Sequence, residues 1–108
     1  MPHYLIQVGY NSSGTAGLVK EPQDRIEKVR PAVEALGGRI ECAYYAFGDH
    51  DIVLICEMPD NFSAAAFALA VGAGGTVSSY RTTVLLTPDE AVEAMRKAGE
   101  SSYKPAIG

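Results

Sequence analysis

The stretch Ile52 to Cys56, IVLIC, has no polar residue on either face of an extended chain. Alternate side chains of a strand point to opposite faces, so such a run belongs to a central strand covered on both sides. It sits inside a longer segment, Ala43 to Asp60, AYYAFGDHDIVLICEMPD. There a preceding strand brings up paired tyrosines, and a turn carries Gly48, Asp49, His50 and Asp51. A chain of 108 residues is one domain, with enough helix for only one face of the sheet. Something else must cover the other face, and the simplest candidate is a second copy of the same chain.

Around that strand the periodicity of apolar residues switches between two and 3.6. Tyr4 to Tyr10 alternates as a first strand, with Tyr4, Ile6, Val8 and Tyr10 on one face. Thr15 to Lys20 is expected to add one short helical turn. From Pro22, taken as a first helical position, Ile26, Val29, Val33 and Leu36 form one apolar stripe that Gly37 and Gly38 end. Pro31 deletes the amide that would bond to Glu27, so a kink is expected there. Arg39 to Phe47 and Asp51 to Met58 read as the second and third strands, joined by a tight loop centred on Asp49. The expected opposite pairs are Ala46 with Ile52, Tyr44 with Leu54, and Cys42 with Cys56; a one-residue slip puts the cysteines on opposite faces.

After Pro59, Asp60 or Asn61 can cap a helix from about Phe62 to Val71, stopped by Gly72, Gly74 and Gly75. Thr76 to Leu86 is the fourth strand, and Thr87, Pro88, Asp89 and Glu90 match a capping box opening a last helix to Ala98, closed by Gly99. Residues 1–99 form the domain, and the tail from 100 to 108 is expected to be mobile unless a partner holds it. The order is strand, helix, strand, strand, helix, strand, plus a terminal helix: the α+β, ferredoxin-like βαββαβ plan. Its usual sheet order is fourth, first, third, second. That places the first and third strands centrally, and polar residues do concentrate in the second and fourth.

Charge and composition exclude several functions. Nine Lys and Arg against thirteen Asp and Glu give a net charge of -4 with no basic run, so no nucleic-acid partner is expected. The apolar run Ala64 to Ala73 is too short to span a bilayer, so no membrane association is expected. Two cysteines and no cleavable leader after Met1 point to a reducing cytoplasm. Cys42 and Cys56 lack a CxxC spacing and His3 is distant, so no metal is expected, and no cofactor either. The glycines from Gly72 follow a helix, whereas a phosphate cradle needs them before one.

Gly37-Gly38, Tyr44-Tyr45, Gly48-Asp49-His50-Asp51, Ile52-Val53, Glu57 and Pro59-Asp60 together resemble the GYD-domain family. These are small bacterial and archaeal proteins named for a Gly-x-Tyr-Asp turn, and His50 stands at the naming tyrosine. Arg25 and the Ala-rich second helix also fit, so the likeness runs from about Tyr4 to Leu86. The resemblance implies a ferredoxin-like domain of the dimeric α/β-barrel type, oligomerisation through the sheets, and no assigned activity.

His50 is the one internal histidine and exchanges a proton near neutral pH, so it is the candidate general acid or base, with Asp51 orienting it. The plainer reading is an exposed turn histidine, with Gly48 and Asp51 as turn architecture. Tyr10, Tyr44, Tyr45 and Tyr80 are candidate pocket walls or ordinary half-buried strand aromatics. Arg81 can hold a ligand carboxylate, or pair with Glu57 on a neighbouring strand. Three functions follow. The leading one is a homo-oligomeric binder of a small aromatic or carboxylate-bearing molecule, in a pocket between packed sheets. The second is a cofactor-independent enzyme of proton transfer or oxygen chemistry. The third is a structural or interaction module.

Overall fold

Four strands pair antiparallel in the order β2-β3-β1-β4: β1 (His3–Tyr10), β2 (Arg39–Tyr45), β3 (Ile52–Glu57) and β4 (Val77–Leu85). A computed structural model describes residues 1–106, so the last two residues of the tail lie outside the described residues. The sheet order is the ferredoxin-like one expected, with the wholly apolar β3 and the alternating β1 in the middle.

The helices are α1 (Ser12–Lys20), α2 (Arg25–Ala35), α3 (Asn61–Ala73) and α4 (Pro88–Glu100). Of these, α2 and α3 cover one face of the sheet. Tyr4, Ile6, Val8, Ile52, Leu54 and Cys56 point into it and meet Ile26 and Val33 of α2 and Ala64 and Phe67 of α3. Each fully buried Ile, Leu, Val or Phe contributes about 1.5–3 kcal/mol, so this single layer carries the fold. Tyr4 closes it by donating its hydroxyl to Asn61 Oδ1 at 2.6 Å.

Strand registers define cross-strand rows. On the helix side, Tyr45, Ile52, Val8 and Tyr80 form one row, and Ala43, Leu54, Ile6 and Thr82 the next. On the outer side the rows are Tyr44, Val53, Gln7 and Arg81; then Cys42, Ile55, Leu5 and Thr83; then Arg39, Glu57, His3 and Leu85. The hairpin register differs from expectation by one residue. Tyr45, not Ala46, stands opposite Ile52, because a loop over residues 46–51 closes with the Ala46 N–H donating to the Asp51 carbonyl at 2.8 Å. A bulge between Ile40 and Cys42 then shifts the pairing again, so Cys42 faces Ile55 and Cys56 faces Ile40. Cys56 is buried and Cys42 exposed.

Local capping explains the other departures. Asp24, not Pro22, opens α2, since its carboxylate accepts the Ile26 N–H at 3.0 Å and the Glu27 N–H at 3.4 Å. Pro31 lies inside α2 without dividing it into two elements. Asn11 caps α1 through the Gly14 N–H at 2.9 Å, so the expected single turn becomes a helix of nine residues. Asp60 caps α3 through the Ser63 N–H at 2.8 Å. Gly37, at φ +86, ends α2, and a Cβ on Gly38 would meet Met58 Sδ and the Glu57 carbonyl. In α4 the helix continues past Gly99 to Glu100.

The fourth helix stands apart from the core. None of its residues is buried, and the radius of gyration, 17.3 Å, exceeds the about 13 Å of a compact chain this long.

Candidate functional site

One end of the sheet gathers the polar groups. There β1 and β2 finish, β3 begins and α2 starts, which brings Tyr10, Tyr45, Asp51, Asp24 and Arg25 together. The Tyr45 hydroxyl accepts the backbone N–H of Arg25 at 2.7 Å and lies 3.3 Å from Asp24 Oδ1, to which it donates. It thereby ties the end of β2 to the first turn of α2. Asp51 Oδ2 accepts the Tyr10 backbone N–H at 2.8 Å, and the Asp51 N–H donates to the Val8 carbonyl at 2.8 Å. Burial pushes the Tyr10 phenol above its ordinary pKa, with Tyr45 adding to the rise and Arg25 opposing it.

Next to this polar end is a cavity of about 250 Å³ under α2 and α3. Its walls are apolar, among them Val8, Ile26, Val29, Leu54, Phe67 and Val71. Arg25 and Lys28, one turn apart on α2, and the Tyr10 phenol also line it, and no carboxylate does. In a chain of net charge -4 that is a local reversal of sign. Arg25 Nε is buried and has no hydrogen-bond partner. A buried donor left unmatched is a place where a ligand oxygen gains a full hydrogen bond.

The candidate residues divide between the two faces. Tyr10 and Tyr45 lie at the polar end on the helix side, and Asp51 ties down the adjacent loop. His50 belongs to the same loop; its Nδ1 is buried without a partner, and no hydrogen bond joins it to Asp51 among the described residues. Tyr44 and Arg81 stand at opposite ends of one row on the outer face, three strand spacings or about 14 Å apart. Tyr80 is on the helix side, with its ring edge-on to Phe67 and its hydroxyl buried and unpartnered. Glu57 pairs with Arg39 rather than with Arg81. Sequence reasoning named Arg25 only as part of a family likeness and passed over Lys28. The signal was their spacing of three on either side of Ile26 and beside Val29, which puts two cations at the rim of an apolar stripe.

A second polar cluster occupies the outer face at the other end of the sheet. His3 Nδ1 lies 2.6 Å from Glu41 Oε1 and Nε2 lies 3.6 Å from Glu57 Oε1. Ligand atoms of His3, Glu41 and Glu57 lie within 4.8 Å of one another, close enough to hold a cation. Arg39 reaches both carboxylates and already supplies the positive charge.

Fold and site together define a small ferredoxin-like α+β domain with an apolar hollow fronted by cations. The chain belongs to the GYD-domain family, whose model matches residues 4–95. Among solved structures it is similar to a protein of unknown function from Nitrosomonas europaea, at 16% identity and a TM-score of 0.44, over 80% of this chain and 89% of that one. No curated protein matches it. No helix among the described residues is long and apolar enough to cross a membrane.

Proposed function

We propose that this protein is a homo-oligomeric, cytoplasmic binder of a small amphipathic carboxylate, held in the cavity beneath α2 and α3. The observation that carries the reading is the cavity lining, two cations and no acid, with Arg25 Nε buried and unmatched. An apolar body replaces water against Val29, Leu54 and Phe67, while the carboxylate takes Arg25, the side chain best shaped to hold it. The volume, about 250 Å³, lies just below the roughly 300–1,000 Å³ of drug-sized sites and suits a smaller metabolite. The site differs from a pocket between packed sheets in being formed within one chain. Self-association is supported by the outer face, where Leu5, Val53 and Ile55 form an apolar centre that neither α2 nor α3 covers. Two free thiols fit a reducing compartment.

Titrating short aliphatic and aromatic acids into ¹⁵N-labelled protein tests this. Shifts centred on α2 and α3, absent with the matching alcohols and lost in Arg25→Gln, support the reading. Acids that bind no better than their alcohols, or bind Arg25→Gln equally well, overturn it.

A catalytic reading is favoured by one observation, the buried and unpartnered Nδ1 of His50. It requires the bound acid to be converted, and conversion to stop in His50→Gln. Recovery of the acid unchanged decides for binding alone.

A further inference from the structure

We infer that α4 is an exchanged arm, which leaves its own domain and lays its apolar stripe on the outer sheet face of a second copy. This rests on the self-association proposed above and names the element that performs it. In α4 the residues Ala91, Val92, Met95 and Ala98 share one side, while Glu90, Glu93 and Lys97 share the other. Val92 is 43% and Met95 67% exposed, and no residue of the helix is buried. A helix of thirteen residues without a packed face is marginal in water, so this one needs a surface to lie on.

Within its own chain that stripe is left unpacked. Only Leu86 and Thr87 join β4 to α4, and a reciprocal cap sets the exit: the Thr87 N–H donates to Glu90 Oε1 at 2.8 Å and the Glu90 N–H to Thr87 Oγ1 at 3.2 Å. The molecule measures 58 Å along its longest axis.

The outer face matches the arm in size and charge. An arm of thirteen residues is about 20 Å long and 10 Å wide, the footprint of the two central strands, whose outer side chains include Leu5, Val53 and Ile55. A hollow of about 200 Å³ lies between this surface and the root of α4, lined by Ile55, Leu85, Leu86 and Thr87 and, on its far side, by the His3–Glu41 pair. Arg81 stands at the β4 edge of the face, and Asp89 flanks the stripe of the arm. Neither has an ion-pair partner among the described residues. A second copy is the occupant that fits, because each chain carries both the exposed stripe and a half-buried apolar face that neither α2 nor α3 covers, and one two-fold axis satisfies both pairs at once.

The test mixes two full-length preparations, both Cys42→Ser. One is ¹⁵N-labelled; the other is unlabelled and carries a nitroxide at Lys97→Cys, on the polar side of α4. Broadening of the Leu5, Val53 and Ile55 amides in the mixed sample is the expected result. Broadening that appears only when nitroxide and ¹⁵N share a chain means that the arm folds back on its own sheet, and overturns the inference. Sedimentation adds a second reading. The double variant Val92→Glu, Met95→Glu should weaken association at least about tenfold while the circular dichroism of the domain persists. Unchanged association in that variant means that sheets pair without the arm: the inference falls and self-association stands. A wild-type monomer from micromolar to millimolar concentration removes both.

Discussion

Asp51 and Tyr10 are 41 positions apart in sequence and joined by a single hydrogen bond, from the Tyr10 backbone N–H to the Asp51 carboxylate at 2.8 Å. The bond fastens the loop between β2 and β3 to the end of β1, where the cavity opens. A hydrogen bond to a charged group contributes about 1.5–3 kcal/mol, so Asp51→Ala should lower unfolding free energy by that order in urea denaturation. Asp51→Asn keeps a neutral acceptor, which contributes about 0.5–1.5 kcal/mol, and should recover about half of the loss.

Arg25 tests whether binding and folding separate. Its backbone N–H holds Tyr45, and a substitution leaves that bond in place. Arg25→Gln should therefore abolish carboxylate binding by calorimetry without lowering stability, since it removes a buried unmatched donor.

The Tyr80 hydroxyl is buried and makes no well-formed hydrogen bond; burial pushes its phenol well above the ordinary tyrosine pKa, with the neighbouring Thr82 hydroxyl opposing the rise. Tyr80→Phe keeps the edge-on contact with Phe67 and removes the unmatched group. It should raise stability by about 1 kcal/mol, seen as a rise of roughly 4 °C or more in Tm.

The two thiols should respond to reagent and pH in different ways. Cys42 is exposed and should react first with a thiol reagent. The Cys56 thiol, pushed up to about 11 by burial, should react only as the protein opens. Folding holds the Cys56 proton more tightly than the unfolded chain does. Its contribution is therefore complete below the ordinary thiol pKa and lost as pH rises through about 11. Urea midpoints should fall across that window, and Cys56→Ala should flatten the fall.

Most of the fold was legible because each element carries its own period. The two-sided apolar run of β3 marks a central strand, and Thr87 with Glu90 marks the start of α4. The hairpin register was not legible, because it depends on how many residues the loop holds out of the ladder, and the closing bond between Ala46 and Asp51 is tertiary information. The candidate site was half legible. Tyr44 and Tyr45 are neighbours on a strand and must face opposite sides, so alternation alone separates them. That Arg25 and Lys28 border a cavity depends on how α3 packs beside α2, and no local pattern records that.

The bulge in β2 has a consequence for how the length of this chain can vary. Ile40 and Ala43 are three apart yet both face the helices, because Glu41 and Cys42 together occupy the place opposite Ile55. Deleting Glu41 would leave Ile40 opposite Cys56 and Cys42 opposite Ile55, which is the ladder of an unbroken strand. Deleting Cys42 instead would put Glu41 in that place with the same result, whereas a deletion elsewhere in β2 inverts every residue between the cut and the bulge or the loop. Family members one residue shorter should carry their gap here.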